Sequence, residues 1–379
     1  MIKTVLFDVD GVLLSEERYF DSSALTVWEI LNSGKYIGLA PNKNKVEYSD
    51  EEIAEIRSNV FADDQVLKLL KSAGLNANWD MIYVTVCNQL IHLLEQVKGT
   101  EKANIEKWVT NPIDQEVLQE IGEVLATKNV QLDFLGLLEN FADAEKTKDG
   151  LFTHIDKLVK EKLDVSGSQF AQSGALWDTC EHICQEWYVG DDNVLESTGR
   201  PSVQTGKSGF LSQEKVLAPA EEIARMFAEL KDAGIMIGIG TGRPELETIE
   251  PFKHLNWLQY FNVKNIVTAD DVLAAEREYP NLQLSKPNPY TYVMALSSKQ
   301  KTALECIETQ LPLENGEEVL IVGDSLADLL AARKMGSTFA AVLTGLSGKN
   351  ARAEFENYNV KYIFDNVMDV RDFVLASVK

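Results

Sequence analysis

Six short apolar runs rich in β-branched residues punctuate the chain, each closing on a Gly, Asp or Thr turn. They are "TVLF" at 4–7, "GIMIGIGTG" at 234–242, "VKNIVTADD" at 263–271, "EEVLIVGDS" at 317–325, "TFAAVLTG" at 338–345 and "VKYIFDN" at 360–366. Continuous apolar runs of this length predict strands buried on both faces. Amphipathic helical patterns lie between most of them. "PAEEIARMFAELKDAG", for example, opens at Pro219 and stops at Gly234, the asymmetry expected of helix ends. Strand and helix alternating from about residue 215 onward predict a parallel sheet covered by helices on both faces. The run at 4–7 has no helix and strand beside it in that rhythm, so it is expected to join the sheet across a long insertion.

The insertion, residues 15–213, has a different texture. Helical periodicity dominates in "DDQVLKLLKSAG", "WDMIYVTVCNQLIHLLEQV" and "DQEVLQEIGEVLATKN". The polar breaks "GLAPNKNKVEYSDEE" and "VGDDNVLESTGRPSVQTGKSG" read as loops. An all-helical domain inside an α/β core is the expected organisation, with boundaries 1–14 and 214–379 for the core and 15–213 for the insertion.

Composition narrows the setting. A formal charge of -23 over 379 residues argues against nucleic acid or anionic membrane as partners, because both require basic surface. The same charge opposes long-range attraction of phosphorylated molecules, so an anion site needs local donors and a metal. Four cysteines at 87, 180, 184 and 306 are too few and too irregular for a disulfide framework. With no secretory pattern and no apolar run long enough for a bilayer, a cytoplasmic location is expected. Oligomeric state is not readable.

Active sites of open α/β sheets form outside the carboxyl ends of the strands. The residues standing there are Asp8 and Asp10 after the first run, Thr241 after the second, and Asp324 after the fourth, with Lys286 on a loop in "LSKPNPY". Asp8 and Asp10 lie two residues apart on extended backbone, hence on one side, where they repel. A cation between them, or a proton on one, is required. Carboxylates, a hydroxyl and a lysine converging on one sheet edge make a Mg²⁺-compatible phosphoryl site, with hard oxygens for the metal and the lysine and hydroxyl for phosphate oxygens.

"DVDGV", "GTGRP", "SKPNP" and "VGDSLAD" together resemble, in order, the four signature motifs of the haloacid dehalogenase-like phosphohydrolases. The resemblance covers about 3–14 and 215–345. It implies a three-layer, Rossmann-like core whose large segment after the first motif is a helical cap. It also implies an enzyme, a Mg²⁺-dependent phosphatase acting on a small phosphorylated metabolite through an aspartyl-phosphate. By resemblance, Asp8 is the nucleophile and Asp10 the general acid/base. Thr241, with its neighbour Gly242, binds the phosphate, and Lys286 steadies the nucleophile. Asp324 is a metal ligand beside Asp8 and the Asp10 carbonyl, and Asp328 supports the metal shell or the lysine. Asp328 also stands three residues after Ser325, the spacing of a capping box.

Alternatives remain open at this level. A phosphomutase fits the same motifs; a phosphonate-cleaving enzyme is disfavoured because "SEERYFDSS" offers Arg18 but no lysine. A partner-binding scaffold using the enlarged insertion is the alternative of another class. Arg18 and Tyr19 are expected either at the hinge, facing the substrate, or at a solvated helix start, and Arg200 is a weaker anion donor. "TGKSG" at 205–209 lacks the remote glycine of a P-loop, since Pro201 occupies that place. "CEHIC" puts Cys180 and Cys184 on one helix face and His182 on another, so a shared metal is not expected.

Overall fold

The computed structural model describes residues 1–75, 77–170 and 174–378. All six apolar runs are strands of one parallel sheet: β1 (Thr4–Phe7), β2 (Met236–Gly240), β3 (Ile266–Val267), β4 (Val319–Gly323), β5 (Thr338–Val342) and β6 (Tyr362–Phe364). Their spatial order is β3-β2-β1-β4-β5-β6. The first strand in sequence is therefore central, pairing Leu6 with Gly238 on one side and with Ile321 on the other. Direction of travel through the sheet reverses at β1, and this is where an α/β sheet opens a crevice at its carboxyl edge.

Alternation along the strands sorts side chains to two faces. Val5, Phe7, Ile237, Ile239, Leu320 and Val322 pack with Ile223, Phe227 and Trp257 on one side. Leu6, Ile321 and Ala341 pack with Tyr292, Leu329 and Phe355 on the other. The first layer includes the helices Ala220–Asp232 and Val367–Val378; the second includes Tyr290–Leu296 and Leu326–Met335. Both faces are thus closed, which is why the runs read as continuously apolar.

The chain divides into two compact units, one formed by Met1–Glu17 with Leu211–Lys379 and the other by Arg18–Phe210. In the second, every described regular element is helical, the longest being Asn78–Thr110. Among the described residues no helix is long and apolar enough to cross a membrane.

Two sequence expectations in the helical unit need correction. The stretch 189–209, expected as loop, contains the helix Asp191–Thr198, set between Gly190 and Gly199. Its apolar signal is only Val194 and Leu195, of which Val194 alone is buried, so no periodicity announces it. The loop 38–52 holds the short 3₁₀ turn Pro41–Lys43 and ends at Ser49, which caps the helix Asp50–Val60 with a capping box. In "TGKSG", Lys207 is wholly buried; it pairs with Glu29 at 2.8 Å and with Glu186, and its ammonium lies over the Trp187 ring. His182 directs Nε2 to the Pro201 carbonyl at 3.0 Å, and both helix cysteines are free.

Candidate active site

At the carboxyl end of β1 the ladder continues one residue further, the Asp8 N–H donating to the Val322 carbonyl at 2.9 Å. The backbone then turns sharply at Gly11, whose φ is +71°. A Cβ on Gly11 would lie 2.1 Å from the Asp324 carboxylate, and one on Gly345, 1.8 Å. Both positions must be glycine for Asp324 to sit where it does. Ser325 follows Asp324 and caps the helix Leu326–Met335.

Asp8, Asp324 and Asp328 place carboxylate oxygens within 4.8 Å of one another. Lys286 joins them, its Nζ lying 2.9 Å from Asp8 Oδ1 and 2.8 Å from Asp328 Oδ1. Asp328 is fully buried and well supplied with donors. Besides Lys286, Tyr292 donates its hydroxyl to Oδ1 at 2.7 Å and Ser325 donates to Oδ2 at 2.6 Å. Burial opposes its charge, but the attraction of Lys286 and these hydrogen bonds outweigh it and hold Asp328 below the usual carboxylate range. Burial works the same way on Asp8, which Lys286 offsets only in part while Asp328 and Asp10 add repulsion; its carboxyl is pushed up to about 7. Asp324 rises well above the ordinary range through burial, then through the charges of Asp8 and Asp328. Burial resists the Lys286 charge too, yet Asp328 and Asp8 prevail and hold the ammonium protonated.

Three carboxylates against one ammonium leave negative charge in excess, and Asp8 and Asp324 register it. This hard-oxygen set suits a divalent cation held by Asp8 and Asp324. Asp328, both of whose oxygens already accept hydrogen bonds, serves the lysine and the helix cap. The Asp10 side chain stands outside the trio and pairs instead with Arg243.

A cavity of about 390 Å³ opens over these groups, lined on its polar side by Asp8, Asp10, Thr241, Gly242, Lys286 and Ser325. Val272 and Leu273, from the helix Ala269–Glu278, contribute an apolar wall. The Thr241 hydroxyl accepts the Arg243 backbone N–H at 3.1 Å. Among the sequence-predicted residues, Arg18, Tyr19 and Arg200 lie in the other unit. There the buried Arg18 guanidinium pairs with Asp21 at 3.1 Å and Asp50 at 2.9 Å and stacks over Phe210. Arg200, in the same unit, is half exposed and donates to the Asp178 carbonyl. Sequence reasoning passed over Arg243, Tyr292 and Gly345. Arg243 stands in "GTGRP", where nothing local marks its distant partners, and nothing local marks the other two.

A family model of haloacid dehalogenase-like hydrolases matches residues 203–342, the span that carries Thr241, Lys286, Asp324 and Asp328. A crystal structure from the Northeast Structural Genomics Consortium is similar along the whole length, with 36% identity, a TM-score of 0.92 and 100% of both chains covered. The chain belongs to the haloacid dehalogenase-like hydrolases. More distant members of the comparison include a haloacid dehalogenase-like protein of unknown function from Agrobacterium tumefaciens, 11% identical with a TM-score of 0.39 over 100% of each chain. A hydrolase from Pseudomonas syringae is 13% identical, with a TM-score of 0.36 over 99% of this haloacid dehalogenase-like chain and 98% of its own. No curated protein matches by sequence.

Proposed function

We propose that this haloacid dehalogenase-like hydrolase is a Mg²⁺-dependent phosphatase that cleaves a small phosphorylated metabolite through an aspartyl-phosphate. The observation that carries the reading is Asp8 at the cavity floor, held by Lys286 at 2.9 Å and crowded by Asp324. A carboxylate so placed is oriented for attack, and the lysine offsets charge that would otherwise repel a phosphate dianion. An Asp8 oxygen bonds to phosphorus as the bond to the leaving oxygen breaks, and Asp10 gives that oxygen its proton. Water then adds its oxygen to phosphorus and its proton to Asp10 while the Asp8–phosphorus bond breaks, which frees phosphate and restores both carboxyl groups.

Thr241 and the Gly242 backbone hold phosphate oxygens, and Asp328 acts through Lys286. Asp8 and Asp324 would hold Mg²⁺, which when bound supplies positive charge to the phosphoryl oxygens and keeps both carboxylates ionised.

The test is hydrolysis of a generic aryl phosphate with and without Mg²⁺, together with intact-mass detection of the phosphorylated chain. Asp8→Asn is expected to abolish both turnover and phosphoenzyme, and Asp10→Asn to slow turnover about 10²- to 10⁴-fold, the range for general acid–base groups. Undiminished turnover in Asp8→Asn sinks the mechanism.

A further inference from the structure

Arg243 lies two residues past Thr241 and is 2% exposed. Its Nε–H donates to Asp10 Oδ1 at 2.7 Å, and Nη2 lies 2.6 Å from the same oxygen. On the opposite side of the guanidinium, Nη1 donates to Glu214 Oε1 at 2.6 Å and to the Glu247 carbonyl at 3.2 Å. The Arg243 backbone is fixed as well, its N–H on Thr241 Oγ1 and its carbonyl accepting the Ala269 N–H at 2.9 Å. Asp10, by contrast, follows a strand end and keeps 30% of its side chain exposed on the cavity.

We propose that Arg243 is a positioning residue for Asp10, with Glu214 as its counter-charge. This rests on the phosphatase reading above. A carboxyl group on a loop has rotamers to choose from, and proton delivery requires one of them, within hydrogen-bond reach of the departing oxygen. The Nε–H hydrogen bond, with the charged Nη2 close beside the same oxygen, selects that rotamer and turns the rest of the carboxyl to the cavity. A lone buried guanidinium is costly. Glu214, its carboxylate 1% exposed, takes up that charge from the other side. The Arg243 planar fork is needed to serve two carboxylates at once; a lysine offers no such geometry.

A role confined to stability and a role in positioning differ in one readout. If Arg243 only holds the fold, its loss lowers kcat/KM equally for every substrate. If it positions the proton donor, the loss grows as the leaving group becomes more basic, because a good leaving group departs without a proton. The experiment is a series of aryl phosphates of graded leaving-group basicity, measured with Mg²⁺ on wild type, Arg243→Met, Arg243→Lys and Glu214→Gln. Arg243→Met should lose about 10²-fold in kcat/KM on phenyl phosphate. It should keep the initial burst of nitrophenolate from p-nitrophenyl phosphate, so the dependence on leaving-group basicity steepens. Arg243→Lys should fall between Arg243→Met and wild type, and it carries the test if Arg243→Met does not fold. Parallel losses across the series overturn the positioning role while leaving the phosphatase reading in place. No hydrolysis of any aryl phosphate by wild type overturns both.

Discussion

Asp8 is caught between two demands. Burial, with Asp328 and Asp10 nearby, pushes its carboxyl up to about 7 from an ordinary 3.8, yet the proposed chemistry needs it ionised. An acid whose folded-state value is raised holds its proton more tightly in the native protein than in the unfolded chain. The stability from that proton is complete below 3.8 and is lost as pH rises through about 7. Asp328, shifted downward, acts only below its ordinary 3.8 and lies outside this window. A metal ion competes with the Asp8 proton, so Mg²⁺ should raise the melting temperature more at about pH 8 than at about pH 6. Equal shifts at the two pH values would remove Asp8 from the metal site. Asp8, Asp10, Thr241, Lys286 and Asp324 were all legible in the sequence, because each stands at a strand end or in a motif that local pattern exposes. Arg243 was not, since its partners Asp10 and Glu214 are 233 and 29 residues away. Only folding makes it a clamp.

Among the elements, strands were the most readable, and for one reason: burial on both faces removes polar residues from them, and the glycine or aspartate that ends them is local. The helix Asp191–Thr198 escaped notice because one buried valine carries no period. The Lys207 cluster escaped for the opposite reason, as its partners are 178 and 21 residues distant and belong to the helices Glu17–Asn32 and Ala175–Val189. Removing one member of a buried charge cluster strands the others, at a cost of about 3–5 kcal/mol. Lys207→Met should lower the helical unit's stability by that amount in urea unfolding. Adding Glu29→Gln and Glu186→Gln to Lys207→Met should recover part of it. A loss below about 1 kcal/mol, the level of an exposed pair, would mean that water reaches the cluster.

For the whole molecule, two units of different architecture imply more than one cooperative transition. Calorimetry should resolve two, and Mg²⁺ should move the one that belongs to the α/β core while leaving the helical one in place; a single transition moving as a whole would show the units unfold together. The division was legible because texture changes from strand-and-helix alternation to helix alone. The substrate was not, because the motifs specify how a phosphate is handled and not what carries it. The central place of β1 has a further consequence, for the order of synthesis. Thr4–Phe7 needs Met236–Gly240 and Val319–Gly323 as its neighbours, and both are translated after it. Through the translation of some two-thirds of the chain, "TVLF" has no sheet to enter, whereas residues 18–210 are already complete as a helical unit. The strand that leads to Asp8 waits for Met236–Gly240 before it can pair, so a product truncated ahead of that strand carries Asp8 without a sheet to seat it.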